Sequence, residues 1–154
     1  MKKILTSCLF LFFVLTSYAG ERRFTTLDGK SLSYEKIVSA PRTILFIWTT
    51  WCPYCRQEIE RLSQGRLSLE GFEIYYINVG EKKAKVEKFS EMRKINGYIK
   101  SKIVVDEEGF FADKFSVVGI PTYIFLEDGK NPSKTYFLDE DLLKAISNKQ
   151  QNGL

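Results

Sequence analysis

The sequence predicts an α/β domain with one mixed central sheet and helices on both of its faces. Two apolar, β-rich runs at 43–49 and 72–79 lack the alternation of half-exposed strands, so each is typical of a strand buried on both faces. Helical patterns follow both runs, and the last third of the chain has the pattern of a strand, a hairpin and a helix. An order of β-α-β-α-β, then hairpin and helix, predicts this layered arrangement.

The elements of the first half follow from turn and capping signals. Pro53 suits the first turn of a helix, and Cys55, Ile59 and Leu62 recur at helical spacing, so they form its inward stripe. The preceding elements are an extended segment at 22–30 that turns at Asp28-Gly29, a short helix at 34–39 stopped by Pro41, and the strand at 43–49.

The second half continues with a helix at 82–95, whose inward side is expected to carry apolar residues at helical spacing. These residues are Val86, Phe89, Met92 and Ile95. The remaining predicted elements are a strand at 102–105, a brief helix around 110–115, a strand at 122–126, a hairpin through Asp128-Gly129 to 134–138, and a last helix capped by Asp139 with Leu142, Leu143 and Ile146 facing inward.

Residues 1–19 have the pattern of a secretory signal peptide. Two lysines precede an apolar run at 4–15, and Ser17-Tyr18-Ala19 offers small residues before Gly20. The run is short for a membrane span, although a retained N-terminal anchor is the alternative. The predicted domain is therefore 20–154, and cleavage would remove Cys8 and leave one cysteine pair in an exported protein, where disulfides persist.

The composition argues against two classes of function. The formal net charge is only +4 and no basic cluster stands out, so no nucleic-acid partner is expected. The chain has no histidine, and one cysteine pair supplies only half of the ligands that a zinc site needs. No metal is expected, and a metal-binding module is kept as the non-enzymatic alternative.

The stretch WTTWCPYC, at 48–55, places Cys52 and Cys55 between a buried strand and the first turn of a helix. Free N–H groups and the positive end of the helix dipole favour an ionised, nucleophilic Cys52 sulfur. Cys55 lies one turn further, on the inward stripe, so it is expected to stay shielded until it resolves a mixed disulfide at Cys52. A disulfide between the two would close almost no loop and add little stability. Beside a βαβ pattern, the motif predicts a redox-active Cys52–Cys55 disulfide.

A second signal is the stretch FSVVGIPTYIFL at 115–126, in which a proline directly precedes a buried strand. A cis Ile120–Pro121 bond would leave the N–H and C=O groups of Ile120 free to pair with an extended substrate chain beside Cys52. The alternative is a trans proline at a strand start. The expected substrate-binding residues are Trp51, Pro53, Tyr54, Ile120 and Pro121.

Together, WTTWCPYC and VVGIPTYIF resemble the thioredoxin superfamily. LDGKSLSYEKI resembles the hairpin-and-helix lead-in of the extracytoplasmic TlpA/ResA-like branch, and FEIYYINVGEKKAKVEKF resembles that branch's inserted βα element. The likeness covers about residues 24–148 and implies a thioredoxin-like fold with an N-terminal extension and that insertion. It also implies no cofactor beyond the cysteine pair. Members of the branch usually keep protein disulfides reduced, often for haem attachment to apocytochrome c, and a membrane transporter of the DsbD/CcdA kind typically supplies their electrons.

The resemblance also raises the question of which group handles the proton of Cys55. Phe46 stands where thioredoxin has a buried aspartate, six residues before the first cysteine. The ResA-like branch uses a glutamate in the segment that matches Asn78-Val79-Gly80-Glu81, so Glu81 is the expected proton acceptor for Cys55. The alternative is a surface glutamate stabilised at a helix start.

The function expected from the sequence is that of an exported, periplasmic or otherwise extracytoplasmic thiol–disulfide oxidoreductase. Cys52 attacks a protein disulfide and Cys55 releases the product, and the reducing direction is implied by the resemblance. An oxidant or isomerase of the same fold is the first alternative. A peroxidase is the second, because Thr49-x-x-Cys52 is similar to the Thr-x-x-Cys of peroxiredoxins.

Overall fold

The structure, a computed structural model, describes residues 21–65 and 71–148. The predicted signal segment 1–19 lies outside this part of the chain, as do the side chain of Ile146 and the last six residues of the predicted domain. The described elements, in chain order, are β1 (Arg23–Thr26), β2 (Ser31–Ser33), α1 (Tyr34–Val38), β3 (Arg42–Trp48), α2 (Pro53–Ser63), β4 (Glu73–Val79), α3 (Lys83–Met92), α4 (Gly97–Lys102), β5 (Ile103–Asp106), α5 (Phe110–Lys114), β6 (Thr122–Glu127), β7 (Ser133–Thr135) and α6 (Glu140–Asn148).

The strands form one mixed sheet in the order β2-β1-β5-β4-β3-β6-β7. β3, β4 and β5 run parallel, whereas β1, β6 and β7 join the sheet through antiparallel pairs. β1 and β2 form a hairpin that precedes this central part of the sheet. This hairpin is the N-terminal extension that the resemblance implied. The mixed sheet confirms the fold class expected from the order of the elements.

The core lies on both faces of the sheet because β3 is apolar without alternation. Ile44, Phe46 and Trp48 pack on one face with the inward stripe of α2, while Leu45 and Ile47 pack on the other. All five are fully buried, and burial of each such side chain contributes roughly 1.5–3 kcal/mol. The first face is covered by residues of α2, α3 and α6, and the second by residues of α1 and α5. β3 is thereby held firmly at the centre of the fold.

The helix predicted at 82–95 is present but ends three residues early, and a second helix that was not predicted, α4, follows it. α3 ends at Met92, and Lys94 adopts a positive φ of 50° that breaks the helix. Asn96 then begins α4, since its side chain accepts a hydrogen bond of 2.9 Å from the N–H of Ile99. Met92 consequently lies 65% exposed instead of facing inward, whereas Ile95 is buried in the connection between the helices.

The strand register places several loops at one edge of the sheet. Trp48 pairs with Asn78, and Asn78 pairs with Val105, which in turn lies opposite Thr25. The carboxyl ends of β3, β4 and β5 therefore meet at the same edge, which we call the cysteine edge. The segment leading into α2 lies there, as ligand-binding loops commonly do in sheets of this kind.

Candidate active site

Cys52 and Cys55 lie at the point where β3 passes into α2. Cys52 is the N-cap residue of the helix, and its sulfur accepts a hydrogen bond of 3.2 Å from the backbone N–H of Cys55. The two sulfurs are not bonded to each other in this structure. Cys52 keeps 4% of its surface exposed and Cys55 none, so Cys52 is the thiol that an incoming disulfide can approach, although its opening is narrow.

The two thiols also differ in how readily they lose a proton. Burial raises the pKa of Cys55 to about 12, and the hydrogen bond with Cys52 adds to the effect. Near neutral pH, Cys55 is therefore a protonated thiol shielded from solvent. A group in this state does not compete with Cys52 for external disulfides and needs assistance to react.

The Ile120–Pro121 peptide bond is cis, as the sequence suggested. The sulfur of Cys52 lies 3.9 Å from the carbonyl oxygen of Ile120, so the cysteine motif and the proline motif meet although 68 residues separate them. Ile120 is half-buried and packs against the core on both faces of the sheet. Its backbone therefore forms a fixed rim beside the Cys52 sulfur.

Glu81 is buried at the cysteine edge and is bound to the loop that carries Cys52. One carboxylate oxygen accepts hydrogen bonds from the N–H of Thr50 at 2.6 Å and the side-chain amide of Asn78 at 2.9 Å. The other accepts the hydroxyl of Thr50 at 2.8 Å and an ion pair with Lys85 at 2.7 Å. Glu81 thus reaches the loop that carries Cys52 at Thr50, two residues before the cysteine. The alternative of a surface glutamate does not hold, since only 4% of its side chain is exposed.

The charge state of Glu81 follows from these contacts. Burial raises the pKa of the carboxyl group, but the donors from Lys85, Asn78 and Thr50 outweigh it, so the net pKa lies below the usual value. The carboxylate is ionised at neutral pH and satisfied by four donors.

The residues expected to contact substrate differ in exposure. Trp51 and Tyr54 are 62% and 70% exposed, and Pro53 is also exposed, so these three flank Cys52 from the solvent side. Pro121 is half-buried beside Ile120. The structure thus brings the predicted site residues to one edge of the sheet.

Thr50, Asn78 and Lys85 were not predicted from the sequence, although they surround Glu81. Lys85 follows Glu81 by four residues, a spacing that favours a side-chain pair on a helix and that the sequence does contain. Nothing in the sequence marks Thr50, because its contact depends on how two loops meet in the fold.

Two further features concern metals and membranes. Across residues 21–65 and 71–148, no group of three or more histidine, cysteine, aspartate or glutamate side chains is placed to hold a metal ion. Within the same ranges, no helix has the length and apolar character needed to cross a bilayer.

Comparison with known proteins places the chain in a family. The AhpC/TSA family model matches residues 17–142, which include both cysteines, Glu81 and Pro121. The chain belongs to the AhpC/TSA family. A match of this length covers nearly every described element, so it applies to the domain as a whole.

Several proteins of similar sequence are named as thiol–disulfide oxidoreductases. ResA from Geobacillus kaustophilus is 30% identical over 118 residues, which are 75% of this chain and 59% of that protein. Sporulation thiol-disulfide oxidoreductase A from Bacillus subtilis is 25% identical over 71% of this chain and 66% of that protein. The chain therefore spans about 60% of the length of the curated relatives it matches. These names agree with the resemblance to the TlpA/ResA-like branch.

Solved structures confirm the thioredoxin-like fold. StoA from Bacillus subtilis superposes with a TM-score of 0.62 at 20% identity, covering 85% of this chain and 96% of that chain. A secreted Mycobacterium tuberculosis disulfide oxidoreductase, described as homologous to E. coli DsbE, gives a TM-score of 0.63 at 17% identity over 83% and 96% of the two chains. At these identities the likeness concerns the fold alone.

Proposed function

We propose that this protein is an exported thiol–disulfide oxidoreductase that reduces disulfide bonds in other proteins through Cys52 and Cys55. The observation that carries the proposal is the asymmetry of the pair: Cys52 is slightly exposed at a helix start, whereas Cys55 is fully buried with a raised pKa. That asymmetry suits one attacking and one resolving thiol. The names of the relatives support the same class of activity.

The proposed reaction is a two-electron exchange in two steps. The Cys52 thiolate attacks one sulfur of a substrate disulfide, forming a mixed disulfide and releasing the other substrate sulfur as a thiolate. Cys55 then loses its proton and attacks the Cys52 sulfur, forming the Cys52–Cys55 disulfide and releasing the second substrate thiolate. The substrate gains two electrons and two protons, and the enzyme pair is oxidised. A dithiol partner must afterwards reduce the pair.

We assign two supporting roles from the geometry beside the sulfurs. The backbone of Ile120, 3.9 Å from the Cys52 sulfur, holds the substrate chain by strand-like pairing, with Pro121, Trp51, Pro53 and Tyr54 completing the docking surface. Glu81 assists removal of the Cys55 proton, since it is an ionised carboxylate attached to the cysteine-bearing loop. The pH profile of resolution should shift in Glu81→Gln if this assignment is correct.

The proposed setting is extracytoplasmic. The N-terminal signal pattern supports export, and one of the similar structures is described as that of a secreted protein. By resemblance to the ResA-like branch, the substrates include apocytochrome c during cytochrome c maturation, and a membrane thiol donor of the DsbD/CcdA type returns the pair to the dithiol form. No nucleic acid and no cofactor beyond the cysteine pair belong to the proposal.

The reduction potential of the pair tests the proposal. The protein is equilibrated in buffers of graded thiol–disulfide ratio, and the oxidised fraction is read by alkylation and mass spectrometry. A reductant is expected to give a potential near that of thioredoxin, roughly −270 mV. A value near that of DsbA, on the order of −120 mV, would indicate an oxidant. Absence of any Cys52–Cys55 disulfide at every ratio would refute the proposed chemistry, and Cys55→Ser serves as the control that cannot form it.

A further inference from the structure

One of the four groups that meet the Glu81 carboxylate differs in kind from the others. The N–H and hydroxyl of Thr50 and the amide of Asn78 are neutral donors, and both residues are buried. The fourth group is the ammonium of Lys85 at 2.7 Å, the one cation that the described residues place on this carboxylate. Burial raises the pKa of Glu81, and the contact with Lys85 is the largest of those that bring it below its usual value. Lys85 therefore has a larger effect on the charge of Glu81 than any neutral donor.

Lys85 also lies between the buried carboxylate and solvent. Only 4% of the Glu81 side chain is exposed, whereas 56% of the Lys85 side chain is. The two neighbouring cations at the start of α3 are held by other carboxylates, in the pairs Lys82–Glu107 and Lys83–Glu87. Lys85 is thus a surface cation that contacts a buried anion.

The other titratable groups around this loop do not replace Lys85. Asp106, at the end of β5, bonds to the Glu81 loop through its carbonyl oxygen at 2.9 Å, and its carboxylate accepts two N–H groups at the start of α5 at 2.8 and 3.0 Å. From the side of α2, the titratable groups closest to Thr50 along the chain are the thiols of the cysteine pair. Among the described residues, loss of the Lys85 charge would therefore leave Glu81 with neutral donors only.

We propose that Lys85 is a positioning residue that sets the pH range in which Glu81 takes the proton of Cys55. The inference rests on the proposed function, in which Cys55 loses this proton as it attacks the Cys52 sulfur. The proton passes to a Glu81 oxygen and then to water, so the step needs no further reactant.

The charge of Lys85 has two opposite effects on this step. A nearby cation stabilises the carboxylate, so the proton acceptor stays ionised under more acidic conditions. The same attraction makes the carboxylate a weaker base, and a weaker base takes a thiol proton less readily. Lys85 thus extends resolution by Cys55 to lower pH and slows it near neutrality.

A single-turnover reaction with dithiodipyridine isolates the resolution step. Attack by Cys52 releases one coloured thiopyridone, at a rate that grows with reagent concentration. Attack by Cys55 on the resulting mixed disulfide releases a second, at a rate independent of that concentration. The second phase is measured by rapid mixing from pH 4 to pH 8, with the full chain carrying Cys8→Ser in every variant.

Lys85→Met is expected to move the midpoint of this rate profile to higher pH by about one unit, a modest shift because the lysine is half in solvent. It should resolve more slowly than wild-type on the acidic side and a few-fold faster at pH 7, so the two profiles cross. A merely structural role would lower the rate by the same factor at every pH. Lys85→Arg keeps the charge and should follow the wild type. Lys88→Met is the matched control, because Lys88 is exposed on the same helix, and it should leave the profile unchanged.

The outcomes separate this inference from the proposed function. A wild-type midpoint that survives Glu81→Gln, an unmoved midpoint in Lys85→Met, or an effect of Lys85→Met that persists in the Glu81→Gln background would overturn the role of Lys85. Each of these leaves the two-phase reaction of the cysteine pair, and with it the proposed function, in place. If the wild-type protein releases no second thiopyridone at any pH, the proposed function is wrong, and the role of Lys85 is wrong with it.

Discussion

The substitution Glu81→Gln tests how the active-site loop is held. It keeps the shape of the side chain but removes its charge, and it replaces one acceptor oxygen by a donor group. Two of the four groups that meet the carboxylate come from Thr50, and a third comes from buried Asn78. Lys85 is 56% exposed and can turn to water when its partner is lost.

The expected loss of stability comes from the hydrogen bonds that Thr50 and Asn78 donate to Glu81. Both residues are buried, so their donors cannot bond to water instead. A hydrogen bond to a charged group contributes about 1.5–3 kcal/mol, and a neutral one about 0.5–1.5 kcal/mol. Removing the charge should therefore weaken each of the three bonds from Thr50 and Asn78 by about 1 kcal/mol, partly offset by relaxation. We expect the free energy of unfolding at pH 7 to fall by about 2 kcal/mol.

The pH dependence provides a second sign of the same interaction. The pKa of Glu81 in the folded protein lies below its usual value of 4.5, because the donors from Lys85, Asn78 and Thr50 outweigh the effect of burial. The stability that ionised Glu81 contributes is therefore fully present above the pKa that the group has in the unfolded protein. It is lost as the pH falls through the lower pKa of the folded protein. The difference between wild-type and Glu81→Gln should narrow as the pH decreases.

The assay is urea unfolding followed by tryptophan fluorescence at a series of pH values from 7 downwards. Glu87→Gln is the matched control, since Glu87 also forms an i,i+4 pair on α3 but at the surface. Its effect should stay below about 0.5 kcal/mol. A Glu81→Gln effect as small as that of the control, or one that is the same at every pH, would refute the proposed role of the carboxylate in holding the loop.

Alkylation, peroxide turnover and one further pH titration test other parts of the account. Iodoacetamide at pH 8 should modify Cys52 and spare Cys55, because burial raises the pKa of Cys55 to about 12. Peptide mapping measures the modification of each cysteine, and equal modification of the two would contradict the shielding of Cys55. Cys55→Ser should consume no hydrogen peroxide catalytically with dithiothreitol as reductant, and sustained consumption would favour the peroxidase alternative. Burial raises the pKa of Asp106 in the folded protein above 3.8. The stability that protonated Asp106 contributes is therefore lost as the pH rises through this raised pKa. Asp106→Asn should consequently gain stability relative to wild-type in urea titrations between pH 4 and pH 7, and an opposite trend would contradict the sign.

The parts of the fold that depend on local pattern were predictable from the sequence. β3 has an uninterrupted apolar run, and the structure buries it on both faces. The stripe of Cys55, Ile59 and Leu62 on α2 is buried as its spacing indicated. The break between α3 and α4 was missed because Lys94, which adopts the positive φ, is not a residue type that normally signals one.

The candidate site was predictable where a motif marks it and not where loops meet by folding. The cysteine pair and Ile120–Pro121 are each marked by their own short stretch, and the sheet brings them to 3.9 Å. The contact between Thr50 and Glu81 joins residues 31 apart through two loops without any pattern.

Trapping of the mixed disulfide tests the central claim most directly. Cys55→Ser and Cys52→Ser, each combined with Cys8→Ser, are reacted with a disulfide-bonded peptide, and the intact masses are determined. The account predicts a stable adduct of one peptide at Cys52 in the first variant and little or none at Cys55 in the second. Adducts of equal yield in both variants, or no adduct at Cys52, would contradict the division of roles between the two sulfurs.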